Sequence, residues 1–161
     1  TKVLHYLEVL RDVIGWDNVK AAVKNPLKGK KIGAYYGCLL LRPGNVMQFD
    51  DPENPQIIED FIKAIGATPV IYAQRNECCG AYTVFENPAI PEKRAQAILG
   101  NAEDFGAELL VTSCPLCRYN LIKNKKNSKL DVIYFSELLA EALGIKDSVL
   151  ASLNKKEAVN A

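Results

Sequence analysis

The apolar positions of this chain follow two different periods. Between residues 4 and 14 they recur every three or four positions, which is the period of an α-helix. Asp17 and the Asn25-Pro26 step bracket a second short helix, predicted over 17–23. Together these segments predict an N-terminal helical region over residues 1–27.

Beyond this region, short uninterrupted apolar runs alternate with longer helical patterns. The predicted strands are 31–36, 68–72, 108–112 and 131–134. The predicted helices are 57–65, 92–105, 115–123 and 136–143, and a long polar loop is predicted over 42–55. Strands that alternate with helices predict an α/β fold, Rossmann-like, with a parallel sheet of about four strands flanked by helices. Short apolar strands suit such a sheet because both of its faces are buried.

The length of 161 residues suits one domain, which we place at residues 1–146, followed by a polar tail over 147–161. The formal net charge of +1 argues against nucleic acid as a partner, because phosphate binding needs a basic surplus. The sequence predicts no membrane span and no signal peptide, so the cytoplasm is the expected compartment. The chain does not begin with Met, so either the initiator was removed or, as we expect, the chain is a piece of a longer protein.

The five cysteines are the candidate chemistry of this sequence. Cys38 follows the first predicted strand, the adjacent Cys78 and Cys79 follow the second, and Cys114 follows the third, with Cys117 in the helix after it. The carboxyl ends of parallel strands share one edge of a sheet, and ligands bind at that edge. The strand order therefore predicts that all five thiols lie at the C-terminal rim of the sheet.

Several uses of five clustered thiols are compatible with the residues alone. A structural zinc site takes four ligands, and a redox dithiol would use only Cys114 and Cys117. Iron–sulfur clusters are held by thiolates, and a larger or unusual cluster can take more than four. Cys114-Pro115 favours thiolate chemistry, since it places sulfur at a predicted helix N-terminus. Zinc and an iron–sulfur cluster both stay open at this point.

The arrangement of one Cys, a Cys-Cys-Gly and a Cys-x-x-Cys resembles the cysteine-rich CCG domain. Several local sequences are similar to the second, C-terminal module of the heterodisulfide reductase B subunit, namely those at 5–10, 35–43, 49–55, 77–81 and 114–121. The resemblance covers nearly the whole chain except its tail. The full-length B subunit of that family carries two such motifs, whereas this chain carries one.

The resemblance implies a noncubane [4Fe–4S] cluster that uses every cysteine of the motif. Its expected ligands are Cys38, Cys78, Cys79, Cys114 and Cys117. In that family the cluster delivers electrons singly to a disulfide, which in methanogens is the heterodisulfide of coenzymes M and B. The resemblance implies an oxidoreductase that works within a complex, with the iron–sulfur (C-type) and flavin (A-type) subunits of heterodisulfide reductase as partners. It implies no catalytic residue separate from the cluster.

Two alternatives to disulfide reduction remain. The same domain occurs as an electron-transfer module in complexes that oxidise glycolate, glycerol 3-phosphate or lactate, but those usually carry a Gly-rich stretch where this chain has residues 81–84 (AYTV). The other alternative is a zinc-bound scaffold. Protein prepared in air is expected to lose iron and to be found without metal, with zinc or with partial disulfides. Arg42 and Glu77 are expected at most to position substrate and manage charge and protons. His5, the single histidine, is interpreted as a packed or surface residue rather than a ligand.

Overall fold

A computed structural model describes residues 3–150 of the chain. Its four strands are β1 (Lys31–Tyr35), β2 (Thr68–Val70), β3 (Leu109–Thr112) and β4 (Asp131–Tyr134). They form one sheet in the order β2-β1-β3-β4, and every neighbouring pair is parallel. The predicted α/β fold with a four-stranded parallel sheet is confirmed.

Helices follow each strand, as the alternating pattern predicted. Two helices precede the sheet: α1 (Tyr6–Glu8), which a π-helical segment Val9–Ile14 continues, and α2 (Trp16–Ala22). The helices that come after β1 are α3 (Gly44–Met47), α4 (Ile57–Ala64), α5 (Ala89–Asp104), α6 (Pro115–Lys123) and α7 (Phe135–Ala142). A 3-10 turn covers Ala81–Thr83. Residues 146–150 are helical, and the remainder of the predicted tail lies outside the described residues. Among the helices described, none combines the length and apolar character needed to cross a bilayer.

The sheet is buried on both faces, which makes a three-layer α/β/α arrangement. Ile32 and Ala34 pack into one core, together with residues of α1, α2, α4 and α7. Tyr35 and Leu110 pack into a second core with residues of α5 and α6. Since side chains alternate along a strand, the neighbouring Tyr35 and Tyr36 enter opposite cores, and both are almost completely buried.

Besides β2, which ends at Val70 rather than at residue 72, three elements differ from the predicted pattern. The segment predicted as one helix over 4–14 is α-helical only in its first turn and then π-helical, so the Gly15 N–H donates to Leu10 O at 2.9 Å. Helix α5 begins at Ala89, where the Asn87 side chain accepts the Ala89 N–H at 3.0 Å. The loop 42–55 contains the short helix α3. The spacing of apolar residues does not by itself reveal a π-helical segment, the first residue of a helix or a short helix within a polar loop.

The strand order places a topological switch at the centre of the sheet. The chain runs from β1 to β2 on one side, then crosses to β3 on the other side of β1. The loops that leave β1 and β3 therefore diverge at their carboxyl ends, where open α/β sheets form a crevice. Cys38 lies three residues beyond the end of β1, and Cys114 lies two residues beyond the end of β3.

Candidate functional site

One cavity of about 220 Å³ is lined by all five cysteines. Their sulfurs form two close pairs, with Cys38 Sγ 3.5 Å from Cys78 Sγ and Cys79 Sγ 3.8 Å from Cys117 Sγ. All five are free thiols. Cys79 and Cys117 are buried, and the other three are partly exposed. The loops after β1, β2 and β3 thus bring every cysteine of the chain to one site.

Gly37 lets the β1 loop pass close to the sulfur of Cys117. Its φ angle is 68°, in the left-handed region that favours glycine. A Cβ atom at this position would lie 2.9 Å from Cys117 Sγ, closer than side chains normally approach. The residue before Cys38 must therefore lack a side chain, so that the loop after β1 can approach the sulfur of Cys117.

The Cys-x-x-Cys segment opens helix α6. Cys114 is the N-cap residue, and its sulfur accepts the Cys117 N–H at 3.3 Å. Pro115 occupies the first turn, where its missing N–H leaves no hydrogen bond unmade. The helix dipole and the free N–H groups of this turn favour a thiolate at Cys114.

The thiols differ in how readily they lose a proton. Hydrogen bonding from the Cys117 thiol lowers the pKa of Cys114 to about 6 and that of Cys79 to about 7. The pKa of Cys117 itself is raised, because its proton is shared with the sulfurs of Cys114 and Cys79. Burial raises the pKa of Cys38 to about 11. At neutral pH negative charge therefore gathers on the side of the cavity formed by Cys79 and Cys114.

The remaining wall of the cavity is mostly apolar or aromatic. Its residues are His5, Tyr36, Leu39, Leu40, Met47, Tyr82, Ser113 and Leu116. Leu39 and Tyr82 are largely exposed, with 59% and 69% of their surface accessible, so they stand at the mouth. Neither lysine nor arginine occurs among the described residues of this wall.

His5 lies on the cavity wall although it begins the chain's first helix. Its Nδ1 atom accepts the Leu7 N–H at 3.2 Å, and its ring packs edge-on against Phe49, with centroids 5.1 Å apart. Burial lowers the pKa of His5, because it disfavours the charged imidazolium. The packed position fits the prediction from sequence, but the proximity to the cysteine cavity was missed. No local signal could have shown it, since helix α1 reaches the site only through tertiary packing.

Arg42 and Glu77 do not line the cavity. The Arg42 guanidinium donates to Asn76 O at 2.8 Å and to Pro52 O at 3.0 Å. Glu77 forms an ion pair with Arg94 at 2.8 Å. Both side chains therefore brace the loop that carries the adjacent cysteines, and Arg94 is a residue of this site that sequence reasoning missed.

The donor set fits a thiolate-bound metal cluster better than a single metal ion. Within residues 3–150, no group of three or more His, Cys, Asp or Glu side chains is arranged to hold a metal ion. A single zinc ion requires four donors around one point, whereas the irons of a cluster are spread over a larger volume. Five thiols around one cavity, with two close sulfur pairs and two thiols of lowered pKa, match the second requirement.

A known protein family matches the part of the chain that contains these cysteines. The cysteine-rich domain family CCG matches residues 32–122, a span that contains all five cysteines. The membrane anchor subunit of the 8-methylmenaquinol:fumarate reductase from Wolinella succinogenes is 33% identical over 80% of this chain and 48% of its own length.

Two further relatives are heterodisulfide reductase proteins. The B subunit of the ferredoxin/F420H2-dependent CoB-CoM heterodisulfide reductase from Methanosarcina acetivorans is 28% identical over 92% of the chain and 53% of its own length. A protein from Archaeoglobus profundus that is described as like the heterodisulfide reductase B subunit is 26% identical over 94% and 55%. The chain thus spans about half the length of these relatives.

Proposed function

Because the chain belongs to the family of cysteine-rich CCG domains, we propose that it is an iron–sulfur redox module of the heterodisulfide reductase B-subunit type. The observation that carries this proposal is the convergence of five free thiols from three strand ends on one cavity. In this proposal residues 1–146 form the functional domain and the protein works in the cytoplasm.

The proposed cofactor is a noncubane [4Fe–4S] cluster. Its ligands are Cys38, Cys78, Cys79, Cys114 and Cys117. When bound, such a cluster accepts and releases electrons one at a time. The protein supplies thiolates, of which Cys79 and Cys114 are the most acidic, and an apolar wall that limits water access. A less polar surrounding strengthens the attraction between thiolate and iron.

The proposed reaction is the reduction of a disulfide to two thiols, which consumes two electrons and two protons. The electrons come from a redox partner, for which the iron–sulfur (C-type) and flavin (A-type) subunits of heterodisulfide reductase are the candidates. The substrate is the coenzyme M–coenzyme B heterodisulfide or a related small disulfide. Its sulfurs approach at the mouth between Leu39 and Tyr82. Since every thiol is used as a ligand, no cysteine serves as a nucleophile.

A second candidate function is electron transfer within a larger dehydrogenase or reductase complex. The described cavity wall contains no lysine or arginine to bind the anionic groups of a coenzyme disulfide. In addition, one relative at 33% identity belongs to an enzyme named for a quinol and fumarate. Both observations favour a module that passes electrons without binding an anionic disulfide itself.

Anaerobic reconstitution tests the proposal. The full-length protein is treated with iron and sulfide without oxygen, and bound iron, sulfide and electron paramagnetic resonance spectra are recorded. We expect about four irons per motif and a new paramagnetic state when heterodisulfide is added to protein that has first been reduced chemically. A full iron content with no response to disulfide supports the second candidate. Binding of one zinc ion with no iron uptake would disprove both.

A further inference from the structure

Four consecutive carbonyl groups in the cysteine-pair loop are each held by a side chain from elsewhere in the chain. Asn76 O accepts from Arg42 at 2.8 Å, and Glu77 O accepts from the Tyr35 hydroxyl at 2.8 Å. Cys78 O accepts from Arg94 Nε at 3.0 Å, and Cys79 O accepts from Asn120 Nδ2 at 2.9 Å. The donors come from β1, the loop after it, α5 and α6. None of the four donor side chains lines the thiol cavity.

Holding these carbonyls outside the cavity orients the next amides toward it. In a trans peptide the C=O and N–H bonds point in opposite directions. The carbonyl of Cys79 is held by Asn120, and the following N–H, that of Gly80, donates to Cys78 Sγ at 3.3 Å. The backbone N–H groups of Ala81 and Cys79 also contribute to the lowered pKa of the Cys79 thiol. Gly80 has a φ of 76°, which a residue with a side chain would adopt only with strain.

The two donors nearest the cysteines are themselves fixed. Asn120 is buried, and its Oδ1 accepts from Asn124 Nδ2 at 2.9 Å. Its amide nitrogen therefore faces two carbonyls, Cys79 O at 2.9 Å and, more distantly, Pro91 O at 3.4 Å. Arg94 is oriented by its ion pair with Glu77, which leaves Nε directed at Cys78 O. Each donor therefore has one group anchored and one group on the loop carbonyl.

We propose that Arg94 and Asn120 are positioning residues that make the redox group at Cys78 and Cys79 easier to reduce, by directing amide N–H groups at its sulfurs. The inference rests on the proposed function. Hydrogen bonds to charged acceptors are stronger than those to neutral ones, so they stabilise the more negative, reduced form the most. Loss of either positioning residue lets the loop amides turn away and makes reduction harder.

The Arg94→Lys variant separates the loss of the hydrogen bond to Cys78 O from a change in charge. Lysine keeps a positive charge able to pair with Glu77, but it has a methylene where arginine has Nε, so the bond to Cys78 O is lost. Arg118→Lys is the matched control, because Arg118 Nε also donates to a backbone carbonyl at 3.0 Å, but that carbonyl belongs to Val132 in β4 and not to the cysteine-pair loop. Asn120→Leu removes the second donor at similar side-chain volume.

The measurement is a spectroscopic redox titration of the anaerobically reconstituted full-length proteins. At the wild-type midpoint, we expect R94K and N120L each to lower the ratio of reduced to oxidised cluster about tenfold, or about 59 mV for a one-electron couple. R118K should match the wild type. If N120L does not fold, the comparison of R94K with R118K decides.

Two outcomes would overturn this inference but not the proposed function. The first is an unchanged potential in R94K together with a lowered potential in Arg94→Met, which would show that the charge of Arg94 is what matters. The second is an equal shift of the potential in R94K and R118K. A wild-type protein that takes up no iron would instead overturn the proposed function, and this inference with it.

Discussion

The sulfur atoms of Cys38 and Cys78 lie 3.5 Å apart although the two residues are 40 positions apart in the chain. One follows β1 and the other follows β2, the strand that pairs with β1 in parallel. The contact depends on the parallel pairing, because an antiparallel pair would carry the two loops to opposite ends of the sheet.

Each cysteine is expected to be required to a similar degree. Serine at Cys38, Cys78, Cys79, Cys114 or Cys117 should lower both bound iron and the rate of disulfide reduction, since all five are proposed ligands. The variants are made in the full-length protein, reconstituted without oxygen, and compared by iron content, spectra and turnover. A variant with an unchanged cluster but no turnover would identify that cysteine as a nucleophile and contradict the proposal.

Gly37→Ala should impair the site more than a comparable substitution elsewhere. The new Cβ would meet Cys117 Sγ at 2.9 Å, in addition to the strain of a positive φ, which costs about 1–2 kcal/mol. Gly29→Ala is the control, because Gly29 has a φ of 79° and nothing within 4 Å of an added Cβ. Urea unfolding of both variants and their iron content after reconstitution separate strain from contact. Equal iron content in the two variants would show that the sulfur contact is unimportant.

Glu59 should make stability fall as pH rises. Its side chain is fully buried, contacts Arg75 at 3.1 Å and accepts the Tyr36 hydroxyl, and burial raises its pKa above 4.5. A carboxyl with a raised pKa in the folded state favours folding while protonated, and that contribution is lost as pH rises through the raised value. The free energy of unfolding of the wild type should therefore fall relative to Glu59→Gln above pH 4.5.

The measurement for this prediction is urea unfolding of both proteins at a series of pH values. Both proteins share the exposed carboxylates whose contributions to stability change with pH in the opposite direction, such as Asp51, whose pKa is lowered by backbone N–H groups. These contributions cancel when the free energies of unfolding of the two proteins are subtracted. A wild type that gains stability over Glu59→Gln as pH rises would show that the ion pair with Arg75 outweighs desolvation.

His5→Ala should leave the cluster intact. The imidazole caps the first helix through Leu7 N–H and packs on Phe49, so its loss should cost about 1 kcal/mol of stability, as loss of an N-cap does. Iron content and spectra should match the wild type, while thermal unfolding shifts downward. Loss of iron in this variant would make His5 a ligand, which its position on the cavity wall would then explain.

Protein purified in air should lose iron. Three of the five cysteines are partly exposed, and thiolate-ligated clusters at exposed sites oxidise. Metal analysis and mass spectrometry of aerobically and anaerobically purified protein should show less iron, more zinc and more disulfide in the aerobic sample. A full iron content after aerobic purification would contradict this prediction.

The class of the fold follows from local patterns in the chain. Apolar runs at β1, β3 and β4 and the helical periods between them depend on near neighbours along the chain, so the alternation of strand and helix is visible without a structure. The grouping of the cysteines followed from the same pattern, because parallel strands carry the loops after them to one edge.

The side chains that support those cysteines were identified only from the packed fold. Asn120 and Arg94 reach the carbonyls of the cysteine pair from α6 and α5, and His5 reaches the cavity from the first helix. Such contacts depend on how helices are rotated and how loops run, and neither is encoded in a local period. For Arg42 the sequence left open a contact with cluster or substrate and a loop salt bridge. The fold shows a salt bridge with Glu53 and hydrogen bonds to loop carbonyls, since buried backbone groups need partners.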